Sequence, residues 1–239
     1  MPTKEDLLLE KKRYGLAQEV SKEELKMLSE NTPVQKIIGY VDYLDVKIDL
    51  SKKVLIPRYE TIELVLWANE IIQQNNYQSV LDLCTGSGFI ALAIKKANLS
   101  INVSASDIDL EAIEQTKINA DKNDLKISVI ASDLFDSLQG NKFDLIVSNP
   151  PYLASYEHLE KSVLKHEPLH ALFANDEGLY FYKQILEQAP NYLNPNGTLL
   201  FEINPLHLAF WESLEKAKYD VEIKKDLFGM YRMVKIQFK

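Results

Sequence analysis

Cysteine is almost missing from the 239 residues: Cys84 stands alone, which excludes an internal disulfide and leaves no cysteine cluster for structural zinc. The four histidines, His158, His166, His170 and His207, lack metal-ligand spacing, so no metal site is expected. Positive charge is also short, with 27 Lys and Arg against 35 Asp and Glu and a formal net charge of -8. That balance argues against a protein whose main partner is a nucleic-acid backbone, because phosphate binding normally shows as a basic surplus. Lys11, Lys12 and Arg13, and later Lys52 and Lys53, are the compact basic spots, and runs so short read as solvated faces. No apolar run approaches the roughly 20 residues of a membrane span, and Lys4, Glu5, Asp6 and Glu10 occupy the place of an apolar signal core. A cytoplasmic protein without membrane attachment is expected. Neither a repeat nor a low-complexity tract is visible.

What is present suits one sizeable α/β domain with a small appendage. Three segments are expected: residues 1–38 as a short helical segment, 39–76 as a β-hairpin with a connecting helix, and 77–239 as the main domain. Thr3 with Asp6 and Ser21 with Glu24 are capping-box patterns that open two short helices. Residues 40–50 alternate, Ser51-Lys52-Lys53 is a polar break, and Val54-Leu55-Ile56 follows, which predicts a hairpin turning at that break. Pro57-Arg58-Tyr59-Glu60-Thr61 leads into a helix with a broad apolar face, where Arg58 and Glu60 form a surface pair or line a site. Strands are then predicted at 79–83, 101–106, 127–131, 143–148, 198–203, 219–224 and 232–238. Helices are predicted at 89–97, 110–120, 179–192 and 206–217. That alternation implies a doubly wound, mostly parallel sheet of about seven strands.

Two corners of this sheet carry the chemistry. Cys84-Thr85-Gly86-Ser87-Gly88 joins a strand to a helix, and Asp107 ends the next strand about twenty residues on, where an acid can accept both hydroxyls of a ribose. No lysine follows the loop, so a triphosphate cradle is not indicated, and Cys84 occupies the first position of the glycine pattern that binds pyrophosphate. An adenosine bearing a small zwitterion fits better, with Asp107 on the ribose, Asp133 and Leu134 beside the adenine, and Asp82 near a ligand ammonium. The second corner is Asn149-Pro150-Pro151-Tyr152, at the carboxyl end of the strand 143–148. Two prolines fix φ and bias Asn149 and Pro150 toward extended backbone, so an amide and a carbonyl are held in place for a planar, nitrogen-bearing acceptor. Read alone, the same four residues also make an ordinary turn.

These residues together resemble the S-adenosylmethionine-dependent methyltransferases, whose class I members have a seven-stranded Rossmann-like sheet. The likeness is closest to the protein-(glutamine-N5) methyltransferases of the release factor type, over roughly residues 33–239. Asn149 to Tyr152 is shared with nucleic-acid amino-methyltransferases and indicates only the type of acceptor. Pro57 to Thr61, Glu167-Pro168, Glu202-Ile203, and Asp226-Leu227-Phe228-Gly229 with Arg232 belong to the narrower resemblance. It implies S-adenosylmethionine as cofactor, held by Asp82, Cys84, Thr85, Gly86, Ser87, Gly88, Asp107, Asp133, Leu134 and Asn149. It implies Asn149, Pro150 and Tyr152 as catalytic, and Asn149, Pro150, Pro151, Tyr152, Arg58 and Glu60 as contacts to the substrate. That substrate is a glutamine, in the Gly-Gly-Gln motif of a peptide chain release factor, modified by a monomeric enzyme with no direct nucleic-acid substrate. Cys84, Asn204 and His207 depart from the family's pattern, and the N-terminal helical part is shorter than usual. Alternative readings are a glutamine methyltransferase of a ribosomal protein, an N6-adenine nucleic-acid methyltransferase, and a cofactor-binding interaction module without catalysis.

Overall fold

A computed structural model describes all residues, 1–239. The two capping boxes form. Thr3 and Asp6 exchange hydrogen bonds at the start of α1 (Lys4–Arg13), and Ser21 and Glu24 do so at the start of α2 (Lys22–Ser29), satisfying N–H groups that have no partner within a helix. A third helix, α3 (Val34–Ile38), ends at Gly39 in the left-handed region.

The hairpin turns elsewhere than the polar break predicts. Strands β1 (Tyr40–Tyr43) and β2 (Val46–Asp49) are joined by Leu44 and Asp45, with φ of 53° and 60°. A two-residue turn with both φ positive twists as the strands do, which explains why it wins over the longer Ser51–Lys53 break. The register buries Val41, Tyr43, Val46 and Ile48 on one face. Residues 51–53 instead run along a later helix: the Lys52 N–H donates to Gln115 at 2.7 Å and the Lys53 N–H to Glu111 at 3.2 Å. Val54 and Ile56 are buried there without pairing as a strand.

After the long helix α4 (Tyr59–Asn75) the main unit alternates: β3 (Ser79–Leu83), α5 (Phe89–Ala97), β4 (Asn102–Asp107), α6 (Leu110–Lys122), β5 (Ser128–Ala131), β6 (Phe143–Ser148), α7 (Lys161–His166), α8 (Tyr180–Gln188), β7 (Leu193–Glu202), α9 (Leu208–Glu212), β8 (Tyr219–Lys225) and β9 (Tyr231–Phe238). The sheet order is β5-β4-β3-β6-β7-β9-β8, parallel through β7, with β9 antiparallel to both neighbours. Period-two alternation covers both faces. Val80, Val103, Leu145, Val147 and Leu200 pack with the hairpin, α4 and α5, while Leu81, Leu83, Ile146, Phe201 and Ile203 pack with α8 and Trp211 on the other face.

Two predicted helices are shorter than their apolar spacing indicates. α8 gives way to a 3-10 turn at Ala189–Asn191 because Pro190 has no N–H to continue the helix. The segment predicted at 206–217 is a 3-10 turn, Pro205–His207, followed by α9, which stops at Glu212. β7 begins at Leu193, five residues ahead of the predicted strand, and β5 at Ser128. No helix is long and apolar enough to cross a membrane.

Candidate active site at the carboxyl edge of the sheet

The glycine loop closes by backbone geometry and one buried acid. Gly86 and Gly88 have φ of 57° and 84°, and a Cβ on Gly88 would lie 2.9 Å from the Thr116 methyl, so the loop packs against α6 only because that residue has no side chain. Cys84 is left-handed as well, at φ 63°, a conformation that costs a non-glycine residue about 1 kcal/mol or more.

Asp82 is expected near a ligand ammonium, and only one of its two oxygens has a partner in the protein. It is fully buried and is not part of the cavity wall; its carboxylate accepts from the Thr85 hydroxyl at 2.5 Å and from the Ala91 N–H at 3.0 Å. Burial pushes its pKa up to about 7, against the pull of those two bonds, and the nearby Asp107 charge adds to the rise. Its role here is to tie the loop to the first turn of α5. Thr85, Ser87 and Gly88 likewise hold the loop and do not line the cavity: the Ser87 carbonyl accepts from Asn119 at 2.8 Å.

The cavity that opens beside the loop has a volume of about 420 Å³, within the range of small-molecule sites. Cys84, Gly86, Asp107, Asp133, Leu134 and Asn149, all expected at a cofactor, lie on its wall. One Asp107 oxygen accepts the Gly86 N–H at 2.8 Å and the other the Asp109 N–H at 2.9 Å. Burial raises this carboxyl, and the two N–H donors oppose the rise. Ser106, fully buried on the same wall, has a hydroxyl with no partner in the protein. A polar ligand would satisfy it, and the acid at the end of β4 with an amide-lined loop beside it matches a ribose and its base. The donor set therefore fits S-adenosylmethionine.

A smaller recess of about 210 Å³ adjoins the cavity. Asn149, Pro150, Tyr152 and Arg58 line it, Pro151 lies on the larger cavity, and Glu60 lines neither. Asn149 is the one polar residue common to both walls. β6 delivers it: the Ser148 hydroxyl donates to the Leu83 carbonyl at 2.6 Å, fastening the ends of β6 and β3 together. Arg58 is not paired with Glu60. Its guanidinium donates to both oxygens of Glu167, at 2.8 and 2.9 Å, and Glu167 also accepts the Ile56 N–H at 3.2 Å.

Tyr152 is held at both ends. Its hydroxyl donates to Glu202 at 3.1 Å, and the second oxygen of Glu202 accepts from the Thr61 hydroxyl at 2.7 Å. Burial pushes the Tyr152 phenol up, the Glu202 charge adds to that, and burial also raises Glu202 itself. At the other end, the Tyr152 carbonyl sits 2.3 Å from where a Cβ on Gly178 would be. Gly178 closes a turn in which Asp176 and Glu177 are also left-handed, and the Glu177 carbonyl is 2.9 Å from His207 Nε2.

Glu202, Thr61 and Gly178 were given no role on sequence grounds. A detectable signal existed for Glu202: a lone acid directly after the buried run Leu199-Leu200-Phe201 must find hydrogen-bond donors. Thr61 belongs to the Pro57–Thr61 segment of the family resemblance, but the hydrophobic pattern gives no signal for Thr61 or Gly178, because their partners lie 141 residues away for Thr61 and in a separate loop for Gly178.

The methyltransferase small domain family matches residues 66–166. A release factor glutamine methyltransferase of Lactococcus lactis is 38% identical over 237 residues, covering 93% of this chain and 86% of that protein. The protein of the same description from Bacillus subtilis is 35% identical, covering 89% and 78%. Among solved structures, a T. thermophilus 16S rRNA N2 G1207 methyltransferase in complex with AdoMet and guanosine superposes with a TM-score of 0.63 at 19% identity, over 84% of this chain and 50% of that one. A ribosomal protein L11 methylase from Lactobacillus delbrueckii subsp. bulgaricus gives 0.58 at 23%, over 78% and 81%. These two likenesses establish the fold, that of class I S-adenosylmethionine-dependent methyltransferases.

Proposed function

The chain belongs to the release factor glutamine methyltransferase family, and on that premise we propose that it transfers a methyl group from S-adenosylmethionine to the side-chain nitrogen of a glutamine in a peptide chain release factor, the glutamine of the Gly-Gly-Gln motif being the acceptor. The observation that carries this reading is the position of Asn149 on the wall shared by a cofactor-sized cavity and a recess sized for one side chain. A group on that wall can touch donor and acceptor together.

When bound, S-adenosylmethionine supplies an electrophilic methyl on a positively charged sulfur. Asp107 would hold the ribose hydroxyls, Asp133 and Leu134 would lie beside the base, and Gly86 would let the ligand approach the backbone. The chain's task is to activate a poor nucleophile, since a carboxamide lone pair is delocalised into its carbonyl. The Asn149 side-chain oxygen and the Pro150 carbonyl accept the two N–H bonds of the glutamine amide and aim its nitrogen into the larger cavity. Both acceptors strengthen as positive charge develops on nitrogen, which is preorganised electrostatic stabilisation, and the methylated nitrogen then gives up one hydrogen as a proton to water, leaving a neutral secondary amide. Tyr152, kept neutral by its raised pKa and anchored by Glu202, packs against the amide plane. Alignment contributes a proximity effect of up to roughly 7–11 kcal/mol where the geometry approaches attack.

A release factor substrate places the enzyme's work in the cytoplasm. Incubation of purified release factor with the enzyme and isotopically labelled cofactor, followed by peptide mass spectrometry, tests the reading. One methyl on the motif's glutamine is expected; methyl incorporated into RNA, or none in the release factor, would refute it.

A further inference from the structure

Leu227 and Phe228 are 88% and 80% exposed, and Met230 is 48% exposed, at the tip of the turn between β8 and β9. Exposed apolar tips are normally mobile or polar, but this one is fixed. The Asp226 carboxylate, itself buried, accepts the N–H groups of Phe228 at 3.0 Å and Met230 at 2.9 Å and pairs with Arg232 at 3.3 Å. The Gly229 N–H donates to the Asp226 carbonyl, and the Asp226 N–H to that of Met230. From outside the turn, the Leu227 N–H donates to Glu63 of α4 at 3.1 Å. A surface held so firmly has already lost the conformational freedom that binding would otherwise remove.

Its place in the sheet sets it beside the recess. β9 pairs with β7 so that Met233 lies opposite Glu202, the residue that anchors Tyr152. The turn before β9 therefore projects past the same edge at which β6 presents Asn149, two strand spacings or about 10 Å along the sheet. Helix α4, which braces the tip through Glu63, starts just after Arg58 on the recess wall.

We propose that the Leu227-Phe228-Met230 tip is a docking point for the protein substrate, taking an apolar side chain that flanks the glutamine entering the recess. The tip projects beyond the level of Met233 as well as about 10 Å across two strands, so at about 3.3 Å per residue of extended chain the docked side chain lies at least about four residues from that glutamine. This rests on the functional reading above and adds to it: recognition extends from the side-chain recess to the substrate's flanking sequence, along the β9 side of the edge.

A double variant, Leu227→Ser with Phe228→Ser, tests it. Both side chains are already in water, so thermal stability and cofactor affinity should stay at the parent values. With full-length release factor the KM should rise at least tenfold while kcat at saturation holds within about twofold, since two large apolar contacts are removed and the recess is untouched. A Phe228→Trp variant gives a second readout: Trp67 and Trp211 are buried, so the new indole dominates the solvent-exposed emission, and it should shift to the blue when release factor is added. An unchanged KM in the folded double variant, or an indole that release factor leaves unshifted, overturns the proposal. So does a parent protein that self-associates through the tip and dissociates in the double variant, because a second copy is then the occupant. A parent enzyme that binds cofactor and methylates no release factor overturns the functional reading and the docking point with it, an outcome distinct from a methylating parent whose variant matches it.

Discussion

Replacing Asp82 with Asn should remove much of the loss of stability between pH 5 and pH 8. Asp82 is fully buried, and burial lifts its pKa from an ordinary 3.8 to about 7. Between those values the folded protein retains a proton that the unfolded chain releases. The folded state binds more protons there, so stability is highest below about pH 4 and falls as pH rises through 7. About three pH units at roughly 1.4 kcal/mol each give a total near 4 kcal/mol, of which about 3 kcal/mol is lost between pH 5 and pH 8. Asp107 and Glu202 are raised for the same reason and add to the slope, so the useful quantity is the difference between parent and variant. Asn keeps an oxygen for the Thr85 hydroxyl and the Ala91 N–H and cannot ionise. Near pH 5 the variant should be the weaker by about 1 kcal/mol, because its NH2 leaves one more hydrogen without a partner than the protonated carboxyl does. By pH 8 the comparison should have moved in its favour by about 3 kcal/mol. Urea unfolding of the cofactor-free proteins at the two pH values measures this directly. Parallel profiles for parent and variant would show that the buried carboxyl is not protonated in the folded state, and would refute the electrostatic account of the loop.

Other expectations concern the acceptor corner. Asn149→Ala should lower kcat by about 10² to 10³ with a much smaller change in cofactor affinity, the pattern for a lost transition-state acceptor, as steady-state kinetics and calorimetry together can show. Tyr152→Phe and Glu202→Gln should each reduce kcat, and the double variant should be little worse than either single one, since Glu202 acts through the tyrosine hydroxyl; additive losses would separate the two roles. Gly178→Ala should destabilise the fold by roughly 3 kcal/mol, combining left-handed strain with the clash on the Tyr152 carbonyl. Gly140→Ala, strained alike at φ 80° but facing open space, should cost only about 1 kcal/mol, and the two melting curves give the comparison.

The parts of the molecule readable from sequence are those whose cause is local. The capping boxes at Thr3 and Ser21, and the order of strand, small-residue loop and helix from Ser79 to Ala97, follow from neighbours a few residues apart. Where the deciding partner is distant, reading failed. Of the two readings of Arg58 and Glu60, the pair along the chain does not form: the arginine lies on the recess wall and finds Glu167, 109 residues on. The hairpin was misplaced for a different reason: Leu44-Asp45 lacks the Asn-Gly signature of its turn type, and its positive φ values are imposed by the pairing of the strands on either side.

If Asn149 and Pro150 accept the substrate's N–H bonds as proposed, they also set the enzyme's stopping point. A primary amide brings two N–H donors to them, but once methylated it brings one, and a buried acceptor left without a donor costs about 1–3 kcal/mol. The modified side chain is thus held less firmly than the unmodified one, which hastens its departure and discourages a second addition to the same nitrogen. Monomethylation and product release would then share one origin, the count of hydrogens on the nitrogen.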